Sequence, residues 1–178
     1  MIDDWECLDL AHRGDERAWR DLFERHYPPL VRMTSSITGS METGHDLAQE
    51  AFVRLLNARI SHHAGTFRSF LSTIAYHLAL KERSRHISRP LSDPGLLADG
   101  APSPLERVIR DETGRIIFGV IQSLPREQRE ILSLRLIAGH SYEEIAGITG
   151  IPIGTVKSRM FYGVKACREL LKERGVSR

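Results

Sequence analysis

The segment GHSYEEIAGITGIPIGTVKSRM, at residues 139–160, constrains the fold of this 178-residue chain more than any other. Ser141 stands three residues before Glu144, the spacing of a capping box in which each side chain bonds a free backbone N–H at a helix start. Gly150 follows about two helical turns later, and Pro152 can open a second helix. Two helices joined by so short a turn predict a helix-turn-helix.

The second helix of this motif has two chemically different faces. Apolar residues recur three or four positions apart from Val156 to Leu171, which predicts a buried stripe. Residues 153–168 also contain four basic residues and no acid. Such a helix suits the major groove of DNA, where arginine can bind guanine through two hydrogen bonds. We expect contacts with duplex DNA from one polar face: Thr155, Lys157, Ser158, Arg159, Tyr162 and Lys165.

Helical periodicity extends through the rest of the chain, without the alternating pattern that is typical of strands. Upstream, a helical stripe is interrupted near Gly14, and Pro28-Pro29 is expected to start a helix that ends at Gly39. Two more helices are predicted at residues 42–57 and 67–85, with Leu56 facing inward in the first of them. The predicted fold class is therefore all-α.

The segment RPLSDPGLLADGAPSP, at residues 89–104, separates two helical units. Its four prolines and two glycines prevent a continuous helix and favour an extended chain. We therefore predict two small helical domains, at residues 1–88 and 105–178, joined by a flexible proline-rich linker. The helix-turn-helix lies in the second domain.

Charge is unevenly distributed, although the net charge is only +2. Residues 1–60 contain eleven acids and seven arginines, whereas residues 61–90 contain five basic residues and one acid. With the basic helix near the C-terminus, this gives two separate basic segments and indicates two contacts with one polyanion. The acidic start is unlike a signal peptide, and no apolar run reaches membrane-spanning length. We expect a cytoplasmic protein without direct membrane insertion.

An enzyme is a competing interpretation that the spacing of candidate ligands disfavours. A metal hydrolase would have to draw its ligands from His45, Asp46, His62, His63 and His77. These residues lack a metal-binding spacing such as H-E-x-x-H, and the two cysteines form no C-x-x-C pair. We therefore expect no catalytic site, no bound metal and no cofactor.

The segment LPREQREILSLRLIAGHSYEEIAGITGIPIGTVKSRM resembles the promoter-binding domain of bacterial RNA polymerase sigma factors of the extracytoplasmic-function type. Upstream, GDERAWRDLFERHYPPLVRM, DLAQEAFVRLL and FRSFLSTIAYHLALKERSR resemble, in order, successive segments of the sigma N-terminal domain. The resemblance covers nearly the whole chain. It implies a promoter-specificity subunit whose partners are core RNA polymerase, promoter DNA and an anti-sigma factor.

The resemblance also implies roles for two sets of residues. In the family the DLAQEAF helix docks on the clamp of the largest polymerase subunit, which carries over to Asp46, Gln49, Glu50 and Arg54. The fourth helix and the loop before it bind the opened strand nearest the start site, which carries over to the following residues: His62, His63, Thr66, Phe67, Tyr76, His77, Lys81 and Arg85. Packing in the core is the competing interpretation for Phe67 and for the neighbouring Phe70.

The chain departs from the family pattern at several positions. Phe70, Thr73 and His77 stand where the family often has Trp, Arg and Asn, and Tyr162-Gly163-Val164 replaces a common Arg-Ala-Arg. These departures imply an altered promoter preference and weaker phosphate binding by the C-terminal domain. The alternative function is a stand-alone helix-turn-helix regulator, which would need a dimerisation element or a receiver-like domain. Neither is apparent in the sequence.

Overall fold

The computed structural model describes residues 3–58, 65–87 and 112–175, and all regular structure in these ranges is helical. The predicted linker lies outside the described residues, as do His62 and His63. Within the same ranges, no helix combines the length and the apolarity that a membrane span needs. The prediction of an all-α fold is confirmed.

Four helices form the N-terminal lobe: α1 (Asp4–His12), α2 (Glu16–Thr38), α3 (Met41–Asn57) and α4 (Phe67–Ile87). Local sequence determines several of their ends. The side chain of Asp15 accepts hydrogen bonds from the backbone N–H groups of Arg17 and Ala18 at the start of α2. Gly39, at φ +83°, ends α2 in the left-handed conformation, as its sequence position predicts. Ser40 then caps α3.

The expectation that Pro28-Pro29 starts a helix is wrong, because α2 continues through both residues. Each proline removes one backbone donor, which costs a helix stability, but its fixed φ is compatible with helical geometry. Burial on both sides offsets that cost: Leu22 precedes the prolines, Leu30 and Val31 follow them, and all three lie in the core. Tertiary packing therefore overrides the local signal.

The C-terminal lobe contains α5 (Glu112–Gln122), α6 (Arg126–Leu132), α7 (Tyr142–Thr149) and α8 (Ile153–Glu173). Helix α6 passes into a π-helical turn, Ser133–Ile137, which periodicity does not predict. The capping box is confirmed: the Glu144 N–H donates to Ser141 Oγ at 3.1 Å, and the Ser141 N–H donates to Glu144 Oε2 at 2.9 Å. Gly150, at φ +71°, ends α7. Pro152 then precedes α8 and completes the helix-turn-helix.

Apolar side chains of the two lobes form one continuous buried cluster. In the N-terminal lobe α2 packs against α1, α3 and α4, with Leu22 and Met33 fully buried. In the C-terminal lobe α6 and α7 pack against α8, with Ile145 and Val156 fully buried. The lobes meet where α4 lies against α7 and where α2 lies against the π-helical turn and α6. We call this meeting the lobe contact.

Gly44 permits a close approach between α2 and α3. A Cβ atom on Gly44 would lie 2.0 Å from Ser35 Oγ and 2.7 Å from the Ser35 backbone nitrogen. The hydroxyl of Thr34 also donates to the Gly44 carbonyl at 2.8 Å, which holds the two backbones together. Because the obstacle includes backbone, a side chain at this position must push the helices apart.

We predict that Gly44→Ala destabilises the protein by roughly 1–3 kcal/mol and lowers its melting temperature by several degrees. Gly147→Ala is the matched control, since Gly147 lies within α7 and has no atom within 4 Å of an added Cβ. In that open helical position alanine should stabilise the protein by about 0.5–1 kcal/mol. Thermal unfolding followed by circular dichroism measures both changes. Equal melting temperatures for the two variants would contradict the close approach.

Candidate nucleic-acid interface

The residues predicted to bind polymerase lie together on the outer side of α3. Asp46, Gln49, Glu50 and Arg54 are all exposed, and Arg54 Nε pairs with Glu50 Oε1 at 2.7 Å. Val53 is 50% exposed beside them, which the sequence interpretation did not include. A polar rim around exposed apolar area is typical of a protein-binding surface.

Leu56 also lies on this side of α3, and the expectation that it faces inward is wrong. It is 42% exposed, whereas Leu55 is fully buried. Successive helical residues are rotated by 100°, and this rotation places Leu56 beyond the edge of the buried stripe that contains Leu55. We call the following six residues the α3 surface: Asp46, Gln49, Glu50, Val53, Arg54 and Leu56.

The residues of α4 that were predicted to bind an opened strand divide into an exposed group and a buried group. His77, Lys81 and Arg85 are exposed and recur at intervals of four, so they lie along one face of the helix. Arg85 Nη1 is 3.4 Å from Glu82 Oε2, but its side chain remains 66% exposed. The row is compatible with a backbone-tracking contact.

Phe67 belongs to the buried group. Its side chain is only 2% exposed, and its ring packs edge-on against Trp5 with centroids 5.4 Å apart and against His26 at 4.9 Å. The ring therefore contributes to the core in this structure and presents no face to a base. The neighbouring Phe70 is half-buried and also packs against Trp5, at 5.6 Å.

Tyr76 and Thr66 both donate hydrogen bonds to carboxylates of the C-terminal lobe. Tyr76 is 5% exposed, and its hydroxyl donates to Glu130 Oε2 at 3.0 Å. Burial, together with the negative charge of Glu130, raises the pKa of the Tyr76 phenol. Thr66 Oγ1 donates to Glu144 Oε1 at 2.7 Å. The Tyr76 ring is therefore closed to a stacking base in this structure.

Helix α8 presents most of its predicted DNA-binding residues to solvent. Lys157, Ser158, Tyr162 and Lys165 are exposed, and Thr155 is half-buried. The Ser158 hydroxyl donates to the Gly154 carbonyl at 3.0 Å and leaves its lone pairs available to a ligand. The exposed side chains follow one another at helical spacing, so a single groove of DNA can meet them together.

Arg159 differs from its neighbours on α8. Its guanidinium is half-buried, and Nη2 lies 2.9 Å from Glu127 Oε2 at the start of α6. An arginine held by a carboxylate within its own lobe has fewer donors left for a guanine. The prediction that Arg159 reads a base is therefore accompanied by a second role, the joining of α6 to α8.

Two aromatic side chains of α8 are largely exposed to solvent. Phe161 is 67% exposed and Tyr162 is 58% exposed, with ring centroids 5.4 Å apart. Phe161 borders a groove of about 520 Å³, which also has the ends of Lys157 and Lys165 in its lining. The sequence interpretation missed Phe161, although its position three residues after Ser158 places it on the same face.

The described residues contain no group of three or more His, Cys, Asp or Glu side chains placed to hold a metal ion. The histidines of the competing hydrolase interpretation that are described lie apart: His45 is on α3 and His77 is on α4. His45 Nδ1 is instead within 3.1 Å of the Tyr27 hydroxyl.

Two family descriptions match the sequence. Residues 22–88 match sigma-70 region 2, and residues 115–167 match sigma-70 region 4. The first covers α3, α4 and most of α2, and the second covers the helix-turn-helix. The two matched regions therefore coincide with the two helical units that carry the predicted interfaces.

Curated relatives span nearly the full chain. The RNA polymerase sigma-H factor of Pseudomonas aeruginosa is 30% identical over 191 aligned positions, which cover 96% of each chain. The ECF RNA polymerase sigma-E factor of Escherichia coli K12 is 29% identical over 173 positions, which cover 90% of each chain.

Solved structures share the fold. The sigma factor RpoE of Bartonella quintana, in complex with the anti-sigma factor NepR, superimposes with a TM-score of 0.65 at 23% identity, over 86% of this chain and 96% of that one. CnrH, in complex with the cytosolic domain of CnrY, gives a TM-score of 0.67 at 20% identity, over 96% and 97%. The sequence matches show that the chain belongs to the sigma-70 family of RNA polymerase sigma factors, in the extracytoplasmic-function group.

Proposed function

We propose that this protein directs core RNA polymerase to specific promoters and initiates transcription there. The observation that carries the proposal is the combination, in one chain, of sigma-70 regions 2 and 4 with full-length sigma factor relatives. The exposed α3 surface and the exposed face of α8 give the two regions separate binding surfaces. A stand-alone regulator would use the second surface but has no evident need of the first.

Each of the three proposed surfaces has its own binding partner. The α3 surface docks on the polymerase, α8 binds the upstream promoter element as duplex, and α4 with its preceding loop binds the opened strand. Each contact alone is weak. Because all three surfaces belong to one chain, binding at one of them raises the effective concentration of the others near their own ligands. No step needs a catalytic group, a metal or a cofactor. An anti-sigma factor is a further proposed partner, as in the solved complexes of RpoE and CnrH.

The first prediction concerns polymerase docking. The triple variant Asp46→Arg, Gln49→Ala and Glu50→Arg should lose binding to core polymerase, because it reverses the charge of the α3 surface. All three positions are exposed, so circular dichroism should show unchanged helical content. The control is Asp21→Arg with Glu24→Arg, which makes the same charge change at exposed positions of α2. Wild-type affinity for core polymerase in the folded triple variant would contradict the docking proposal.

The second prediction separates base reading from phosphate binding on α8. Arg159→Ala should weaken binding at one upstream base position by about 1–3 kcal/mol and leave other positions less affected. Lys165→Ala should weaken binding to every sequence and reduce the salt slope by about one unit. Holoenzyme binding to a set of single-base promoter variants, at several salt concentrations, measures both. A uniform loss in both variants would mean that Arg159 acts only through its pair with Glu127.

The third prediction concerns strand opening. Tyr76→Ala and His77→Ala should leave the closed promoter complex nearly intact and suppress the reactivity of promoter thymines toward permanganate. Stacking on an aromatic ring contributes about 1–3 kcal/mol per base, and that contribution exists only for an unpaired strand. A template with a preformed bubble should largely restore activity. Normal opening by both variants, or an equal defect on the bubble, would remove these residues from the strand-binding surface.

A further inference from the structure

Helix α1 precedes the residues that match sigma-70 region 2, yet it contacts the chain near both ends of the connection between α3 and α4, residues 58–66. Near the start of α1, the indole Nε1–H of Trp5 donates to the Gly65 carbonyl at 3.2 Å. At the end of α1, His12 Nε2 is 3.4 Å from the carbonyl of Leu55, in the last turn of α3. We call Trp5 and His12 the α1 brace.

The α1 brace has a fixed length and a fixed seat on α2. Seven positions separate Trp5 from His12, which corresponds to about 10 Å along a helix axis. Between them, Leu8 is 2% exposed, and the thiol of Cys7 donates to the Ala18 carbonyl at 3.5 Å. Because α1 is rigid and packed on α2, it sets the positions of the two carbonyls that the brace contacts.

The Trp5 end of the brace also contacts side chains of α4. The Trp5 ring packs edge-on against Phe67, with centroids 5.4 Å apart, and tilted against Phe70 at 5.6 Å. Both phenylalanines lie in the first turn of α4, and aromatic pairs stabilise a structure beyond the area that they bury. Trp5 therefore binds the Gly65 backbone and the two rings that follow it, at the point where the chain enters α4.

Asp4, the neighbour of Trp5, connects the same point to α2. Its carboxylate pairs with Arg25, and Oδ2 lies 2.9 Å from Nε2 of the buried His26. The His26 ring lies 4.9 Å from the ring of Phe67. Phe67 is thus enclosed between Trp5 on α1 and His26 on α2, so the start of α4 cannot shift unless α1 shifts with it.

The chain that Trp5 holds is also an exposed surface. Gly65, Thr66 and Arg68 are exposed and border an open groove of about 570 Å³. Thr66 is one of the residues assigned to the opened strand. His62 and His63, which have the same assignment, fall between the two braced carbonyls in the sequence. The α1 brace therefore contacts the chain on both sides of a segment that is assigned to strand binding.

We propose that Trp5 is a positioning residue for strand capture, because it holds the entry into α4 in the conformation that binds an unpaired strand. This role rests on the proposed function, since it concerns binding at the same surface. A segment that is already in its binding conformation loses less entropy when its ligand binds. Apparent affinity falls with the fraction of molecules in the competent conformation, so loss of Trp5 weakens strand binding although Trp5 need not touch the strand.

Binding of the holoenzyme to two forms of one promoter tests this role, at a promoter where the wild-type factor starts transcription. One form is a duplex kept closed at low temperature, and the other is a fork whose start-site-proximal element is already unpaired. Trp5→Phe removes the indole donor but keeps a ring, and we expect fork binding to fall about fivefold. Trp5→Ala also removes the ring contacts, and we expect a fall of about tenfold or more. Duplex binding and affinity for core polymerase should be unchanged.

Leu8→Ala is the matched control for a general loss of stability. Leu8 lies in the same helix and is buried, so its truncation should destabilise the packing of α1 at least as much as Trp5→Phe does, while the Trp5 side chain stays intact. All variants are compared at a temperature at which circular dichroism shows wild-type helical content. We expect Leu8→Ala to bind the fork better than Trp5→Phe. An equal fall in fork binding for these two variants would overturn the role of Trp5.

The remaining outcomes separate the role of Trp5 from the proposed function. Wild-type fork binding by Trp5→Phe and Trp5→Ala would overturn the positioning role and leave the sigma activity intact. If Trp5→Ala lost its helical content, Trp5→Phe alone would decide. An equal loss of core polymerase affinity and fork binding would also overturn the role, because Trp5 would then act on docking. Failure of the wild-type factor to start transcription with core polymerase would instead overturn the proposed function.

Discussion

Burial of the Glu130 carboxylate is the interaction on which the arrangement of the two lobes depends. Removing a carboxylate from water carries a large solvation cost, and here that cost is offset only when Tyr76, Arg83 and Arg126 are all in place. Two of these donors belong to α4, so the C-terminal lobe can bury Glu130 only in register with that helix. Ser36 on α2 and Ser133 in the π-helical turn, whose hydroxyl oxygens are 2.7 Å apart, then align the opposite edge.

Each lobe is built so that its own core does not need the other lobe's polar groups. Gly44 brings α2 and α3 together, and the Ser141–Glu144 capping box fixes the start of α7 from within the C-terminal lobe. Glu144 contacts Thr66 and Arg68 across the lobe contact, but it bonds the Ser141 N–H within its own lobe. The start of α7 is therefore fixed for DNA binding by bonds inside the C-terminal lobe.

Features governed by local chemistry could be predicted from the sequence, and features governed by tertiary contact could not. The capping box, the glycines that end α2 and α7, and the bounds of α3 and α4 to within two residues follow from neighbouring residues and from periodicity. The continuation of α2 through Pro28-Pro29 depends on packing that no local rule contains. The π-helical turn likewise could not be predicted from apolar residues that recur with the 3.6-residue period of an α-helix.

In the candidate site too, features set by local sequence could be predicted and features set by tertiary contacts could not. The exposure of Asp46, Gln49 and Glu50 follows from the amphipathic pattern of α3. The same pattern does not decide whether Leu56, next to the buried Leu55, faces the core, because that depends on the neighbouring helices. Nothing in the sequence around Tyr76 indicates that Glu130, 54 residues later, binds its hydroxyl. The pairing of Arg159 with Glu127 is equally non-local.

The separation of the exposed face of α8 from the lobe contact has an evolutionary consequence. Lys157, Tyr162 and Lys165 take no part in the hydrogen bonds that the described residues make between lobes, so substitutions there can change which promoters are chosen without changing how tightly the lobes close. Mutations at Glu130 or Arg83 act instead on the lobe contact and do not touch the exposed face of α8. The DNA-facing residues of α8 and the packing of the two lobes can therefore diverge independently among descendants of one ancestral chain.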